Sequence, residues 1–387
     1  MHDISVKESN KLGTIQLLRG VAALMVVFGH YCGYLNDVYS DPNIGPKLFP
    51  NASFSVDVFF IISGFIMVYS TNRVLKRPVL DFFVKRIFRI YPVYYVVLSL
   101  TILLYYIDYG SLSFFGSIAS FSTVIKSFLL IPLDITAQAP FYGYSLVQTA
   151  WTLSYEIYFY IIFGISMLIS VRYRSIICII VILSICIITQ YVLKDNISVF
   201  PYDAMYKKTN IFSNILFISN PIVLDFIVGV IIGEFYYKVK DDFWNVTSIY
   251  YIAIGMVIFS INSWLSTYGA GHGLFWSKGI LSGGVSTFLF FGLLYIDKYK
   301  KLTLPSWVYY FGAISYSLYI VHIPLQIIIG KMQMQLQVQL MAIPLSNGFV
   351  KFISMMILAI YISAILHKFI EQPFIKLGKK ICSHIER

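Results

Sequence analysis

The sequence predicts an all-α membrane protein, a bundle of about ten transmembrane helices with both termini cytoplasmic, and two observations predict it. Of its 387 residues 58% are hydrophobic and only 12% are charged, about half the roughly 25% usual in a soluble domain. The mean hydropathy is +0.76, gathered into long apolar runs of the kind that cross a hydrocarbon core of about 30 Å. A soluble globule of this length needs a charged shell that these residues do not supply.

Apolar runs read against charge place the spans at 15–34, 54–71, 90–108, 150–170, 175–193, 213–236, 249–265, 274–296, 307–330 and 349–370. The polar start MHDISVKESNKLG leads into a first run that contains Arg19 and lacks a small-residue cleavage pattern, so it reads as an uncleaved span. With the N-terminus inside, twenty of the 29 Lys and Arg fall on the cytoplasmic side, eight outside, and Arg19 within a span. That asymmetry sets the orientation and accounts for the net charge of +11 without invoking nucleic acid.

Two outer connections stand out. Residues 109–149 are long and largely apolar, which reads as a surface-lying or partly inserted helix followed by an irregular stretch through Pro132 and Pro140. The segment KMQMQLQVQL, from Lys331, alternates with period two, which fits an extended strand or flap, or else an ordinary helix end. Cys32, Cys178, Cys186 and Cys382 form no Cys-x-x-Cys pair, so no zinc site or disulfide framework is expected. No repeat or linker divides the chain, and 1–387 reads as a single membrane domain.

An ionisable side chain inside a span costs at least about 2.5–3.5 kcal/mol at the helix centre, so each one raises a functional question. In the first span Arg19 and His30 are eleven residues apart, within about 20° of three full turns, so they share a face about 16 Å apart along the axis. His30 is either a satisfied helix-to-helix hydrogen-bonder or a catalyst. Asp57 opens the second span near the depth of His30, where it either fixes the imidazole tautomer or caps its own helix. Ser63 and Gly64 read as close-packing residues.

In the fourth span Glu156 lies less than two turns inside the boundary and should face the bundle interior, toward His30, Arg19 or a polar ligand. Trp151 and Tyr155 line up beside it, as interface anchors or as cavity walls. Ser315, Tyr319 and His322 share one face of the ninth span, lining a cavity or forming an interhelical ladder. Arg86 and Arg89, flanked by Lys85, sit at the end of the second cytoplasmic loop. Topology alone explains cations there, while paired guanidiniums also match phosphate oxygens. Glu371 is expected at the same level, paired with these arginines.

Arg19 and His30 with ten residues between them, VDVFFIISGF at 56–65, KRIFRIYP at 85–92, WTLSYEIYFY at 151–160, ISYSLYIVHIP at 314–324 and EQP at 371–373 resemble the integral-membrane acyltransferase-3 family, in order and spacing over nearly the whole chain. The opening IQLLRGVAALMVVFGHY is similar to members that modify exopolysaccharide or O-antigen. The resemblance implies a ten-span bundle in a bacterial inner membrane, no bound cofactor, and acetyl-CoA or another acyl-CoA as co-substrate. It implies O-acylation of a carbohydrate, free or lipid-linked, on the outer face, with roles for Arg19, His30, Arg86, Arg89 and Glu156. Some members carry a fused soluble acyltransferase domain, and with this sequence ending at Arg387 none is expected here.

Residues and resemblance then meet on one expectation. Arg86, Arg89 and Arg19 hold the donor phosphates, the pantetheine arm runs between helices, and His30 acts as general base with Asp57 or Glu156 orienting it. An acyl-histidine relay is the alternative route. The competing class is a proton-coupled secondary transporter, which would show paired broken helices in two related halves. None is evident, and no G-x-S-x-G elbow or metal-ligand spacing points to another enzyme class.

Overall fold

The computed structural model describes residues 12–36, 38–72, 75–109, 121–194, 197–204, 206, 216–266, 272, 282–337 and 348–385. The main helices are α1 Gly13–Tyr31, α2 Phe54–Thr71, α3 Pro78–Tyr109, α4 Phe121–Phe128, α5 Trp151–Ile169 and α6 Arg174–Lys194, then α7 Val223–Lys238, α8 Thr247–Ser266, α9 Ser282–Lys300, α10 Ser306–Gln337, α11 Phe349–Leu366 and α12 Gln372–Ile385. No strand occurs among the described residues. Each of the ten expected spans meets a helix, and eight candidate spans among the described residues are long and apolar enough to cross a membrane. The other two are α7, with 16 residues, and α9, which ends in Asp297, Lys298 and Lys300.

One expectation about local structure changes and two are narrowed. KRIFRIYP is not the end of a loop: α3 runs 32 residues from Pro78 straight through Pro92, about 48 Å and longer than the bilayer core needs. Its first turns therefore carry Arg86 and Arg89 on a rigid helix face. The period-two segment is helical through Gln337, so the helix-end reading holds as far as the chain is described, and residues 338–347 lie outside the described residues. Lys, Met, Gln and Leu are all good helix formers, and a lone strand would leave its backbone groups unpaired in an apolar setting. In the 109–149 connection α4 is short and amphipathic, with Phe121, Ile125 and Leu129 exposed. An irregular stretch through Pro132 and Pro140 follows, as expected, with Leu130, Tyr142 and Tyr144 at positive φ.

Small residues let the central helices touch. A β-carbon on Gly64 would collide with the Phe226 carbonyl, and one on Gly229 with the Ile61 carbonyl, so α2 and α7 cross backbone against backbone. Close approach of this kind drives packing in a membrane, where apolar burial favours no helix pair over lipid. The same device joins α1 to α10. A β-carbon on Gly13 would meet Tyr309, one on Gly20 would meet Phe311, and farther along the Tyr31 hydroxyl donates to the His322 carbonyl at 2.8 Å. The pairing order shows that α1 and α10 run in the same direction.

Candidate active site

That parallel pairing sets the face of α1 that bears Arg19 and His30 against the face of α10 that bears Ser315, Tyr319 and His322. Arg19 and the first two of these line an internal cavity of about 110 Å³, and His30 meets His322 beyond it. Arg86 and Arg89 enter the cavity from α3, Glu156 and Thr152 from α5, and Ser63 from α2.

The cavity carries an excess of positive charge. Arg19 is only 9% exposed, yet it has no hydrogen bond or ion pair among the described residues, and neither has Arg89. Arg86 donates to Ser70 Oγ at 3.1 Å and lies over the rings of Phe82 and Tyr160. Against three guanidiniums the lining holds one carboxylate, Glu156, which accepts a hydrogen bond from the Tyr160 hydroxyl. Glu371 is a further acid within electrostatic reach of Arg19 and Arg89, as expected, though no hydrogen bond or ion pair joins it to either among the described residues. Its Oε2 accepts from Ser317 Oγ at 2.8 Å and from His367 Nδ1 at 2.9 Å, within the single π-helical turn His367–Glu371. A buried cation with no partner is costly, so such a cavity is suited to an anionic ligand.

Farther along α1 the two histidines form a defined pair. His30 Nδ1 lies 2.8 Å from the Val26 carbonyl, and His322 Nδ1 lies 3.2 Å from the Leu318 carbonyl. A carbonyl only accepts, so both rings carry their proton on Nδ1. His322 Nε2 is then an acceptor, and it sits 3.3 Å from His30 Nδ1, with the ring centroids 5.0 Å apart. His322 is fully buried while His30 is exposed, which leaves the lone pair on His30 Nε2 available to a substrate.

The partner of His30 is therefore His322, and neither Asp57 nor Glu156 contacts it among the described residues. Asp57 instead accepts from Ser282 Oγ at 2.6 Å and lies against Asp225. Both acids are fully buried in the first turns of their helices, and no side-chain capping hydrogen bond occurs at the start of either helix. Trp151 and Tyr155 are buried, which removes the interface-anchor reading, but neither lines the cavity. Trp151 packs on Phe141 and His272, and the Tyr155 hydroxyl donates to the Pro140 carbonyl at 3.0 Å. Thr152 and Glu156 are the i, i+4 pair on the cavity face, and Trp151 and Tyr155 occupy the next face round. Tyr319 reaches Thr152 Oγ1 at 3.0 Å, while Ser315 Oγ donates to the Gly312 carbonyl at 2.9 Å.

Sequence reasoning misassigned one site residue and missed others. Ser63, read as a close-packing residue, is a cavity residue with a buried hydroxyl that has no partner among the described residues. Asp225 carried the signal that marks Asp57, an acid inside an apolar run. His272 had no such signal, lying in a connection between helices. It is 7% exposed between Trp151, Phe141 and Tyr202, and burial lowers its imidazole to about 4 even though a hydrogen bond with the Ser53 backbone pulls the other way. No group of three metal-ligating side chains occurs among the described residues.

Comparison with known proteins agrees with these motifs. Over 279 residues, 69% of this chain, it is 26% identical to the exopolysaccharide production protein ExoZ of Rhizobium meliloti (strain 1021), of which it covers 74%. No solved structure matches. The model of the acyltransferase-3 family, described as an acyltransferase domain, matches residues 12–368, and this integral membrane protein belongs to that family.

Proposed function

We propose that the protein moves an acetyl group from cytoplasmic acetyl-CoA to a hydroxyl of an exopolysaccharide or related surface glycan on the outer face. The observation that carries the reading is Arg19, buried without a hydrogen bond or ion pair among the described residues, joined by Arg86 and Arg89 in one cavity and standing on the same helix face as His30. The offset of about 16 Å between Arg19 and His30 suits a pantetheine arm extended along α1 and α10. Resemblance to the exopolysaccharide production protein supports the acceptor class, and the basic excess on one side supports the orientation.

In this mechanism the arginines hold the donor phosphates, and the thioester lies beside His30. The lone pair on His30 Nε2 takes the proton of a sugar hydroxyl as its oxygen forms a bond to the thioester carbonyl carbon. The carbon–sulfur bond then breaks, and the leaving thiolate recovers that proton from His30 to give free CoA. His322 Nε2, facing His30 Nδ1, orients the base and accepts from it more strongly while the ring is cationic.

The test is chemical. A strain lacking the gene is complemented with wild-type, His30→Ala or Arg19→Ala protein, each checked for expression and folding, and its polysaccharide is examined by NMR for ester groups. One acetyl ester restored by the wild type alone is expected. Unchanged ester content in the deletion strain rules out the glycan as acceptor, and full activity of the His30→Ala protein rules out the base.

A further inference from the structure

A second cavity, of about 710 Å³, lies at the end of α1 remote from His30, and nothing in the mechanism above uses it. Its size falls within the roughly 300–1,000 Å³ typical of small-molecule sites. It opens beneath the arginine cavity along the same helix faces. Leu12 lines it and Arg19 lines the cavity above, while Tyr309 lines it and Tyr316 lines the cavity above. Seven residues come within about 20° of two full turns and rise about 10 Å, so the two spaces are stacked along the α1–α10 pair.

The walls suit an aromatic, phosphorylated ligand. Tyr236, Trp244 and Tyr309 supply rings, and Lys298 and Lys301 supply positive charge, with Lys298 Nζ poised 4.8 Å from the Tyr236 ring centre. Trp244 is 2% exposed, and its indole N–H has no acceptor among the described residues. A buried donor in that state is stabilised by any acceptor atom brought into the cavity. Of the lining acids, Asp297 is engaged at the start of α1, where its Oδ2 accepts from Thr14 N at 3.1 Å and Thr14 Oγ1 at 2.8 Å. Asp241 opens the turn Asp241–Asn245.

We infer that this cavity is a nucleoside-phosphate site, and that it holds the adenosine end of the acyl-CoA donor while the arginine cavity holds the diphosphate. The inference rests on the acyl-CoA reading above and extends it to residues with no assigned role. The base lies among Tyr236, Trp244 and Tyr309, with an acceptor atom facing the Trp244 N–H, and the ribose phosphate meets Lys298 and Lys301.

The experiment compares two donors, acetyl-CoA and acetyl-4′-phosphopantetheine, which lacks the adenosine part, using the full-length protein in nanodiscs. Lys298→Ala and Lys301→Asn are expected to raise the KM for acetyl-CoA about tenfold, as loss of a charge-assisted phosphate contact does, with kcat kept. Asn tolerates the φ of 51° at position 301. The effect should vanish with the truncated donor, and Trp244→Phe, which keeps the packing, should weaken acetyl-CoA alone. Equal losses with both donors, or no loss with either, overturn the inference while leaving the acyl-CoA reading intact. If the wild type uses neither donor, the acyl-CoA reading falls and calorimetry decides for the cavity. Binding of adenosine 3′,5′-bisphosphate that is weakened by Lys298→Ala upholds the nucleotide site, and absence of binding rejects it.

Discussion

Replacing Arg19 by Met separates a ligand-binding cation from a structural one. A buried Arg that served the fold would have partners, and its loss would leave them unsatisfied at a cost of about 3–5 kcal/mol. Arg19 has no hydrogen bond or ion pair among the described residues and only the longer-range attraction of Glu371 and Glu156, and a charge at this depth itself costs at least about 2.5–3.5 kcal/mol on insertion scales. Met fills a similar volume without the charge, so the Arg19→Met protein should be at least as stable as wild type. Its donor binding should suffer, because a hydrogen bond to a charged group contributes about 1.5–3 kcal/mol. At about 1.4 kcal/mol per tenfold, that weakens acetyl-CoA binding by roughly 10- to 150-fold. Both quantities are measurable on one nanodisc preparation, by thermal unfolding and by calorimetric titration with acetyl-CoA. A clear drop in unfolding temperature with unchanged donor affinity would refute the assignment.

Other residues should behave differently. Glu371→Leu removes a buried carboxylate bonded to Ser317 and His367, so stability should fall by about 3 kcal/mol, read as a lower unfolding temperature without ligand. Gly229→Leu forces a side chain into the backbone of α2 at Ile61; a loss of at least about 1–3 kcal/mol is expected, and wild-type yield and unfolding temperature would show the crossing to be looser than described. His272 stays neutral down to about 4 in the fold, against 6.5 when unfolded. The unfolded chain thus binds the extra proton in that window, and stability is full above pH 6.5 and declines as pH falls toward 4, by up to about 3 kcal/mol. Thermal unfolding at pH 7.5 and pH 5 should show this decline in the wild type and less of it in His272→Phe, and parallel pH profiles would assign it to other groups.

The amino-acid pattern carried the architecture because lipid imposes a simple rule, an apolar run for each crossing, and each expected run contains a helix. It also carried the faces. The eleven-residue step from Arg19 to His30 and the i, i+4, i+7 step from Ser315 to His322 each mark one side of a helix, and those sides meet. What periodicity does not encode is which helices are neighbours. Asp57 and His30 lie at similar depth, but depth does not say that Asp57 packs against Asp225 and Ser282 on α7 and α9. The choice of Trp151 and Tyr155 over Thr152 fails for a related reason, since large rings attract notice while the cavity is bounded by a small hydroxyl one face away. The α3 extension escaped because charge reads as loop, although Lys and Arg are good helix formers and the helix continues through them.

The most direct measurement places donor and acceptor on opposite sides of a sealed bilayer. Proteoliposomes with uniformly oriented protein receive radiolabelled acetyl-CoA at the face bearing Arg86 and Arg89, with the glycan at the face bearing His30. Label should appear on the glycan as a covalent ester, only in this arrangement, and not with the His30→Ala protein. Label transferred only when donor and acceptor share one side, or solute crossing the bilayer without ester formation, would contradict an acyl path that runs from the arginine cavity to the histidine pair.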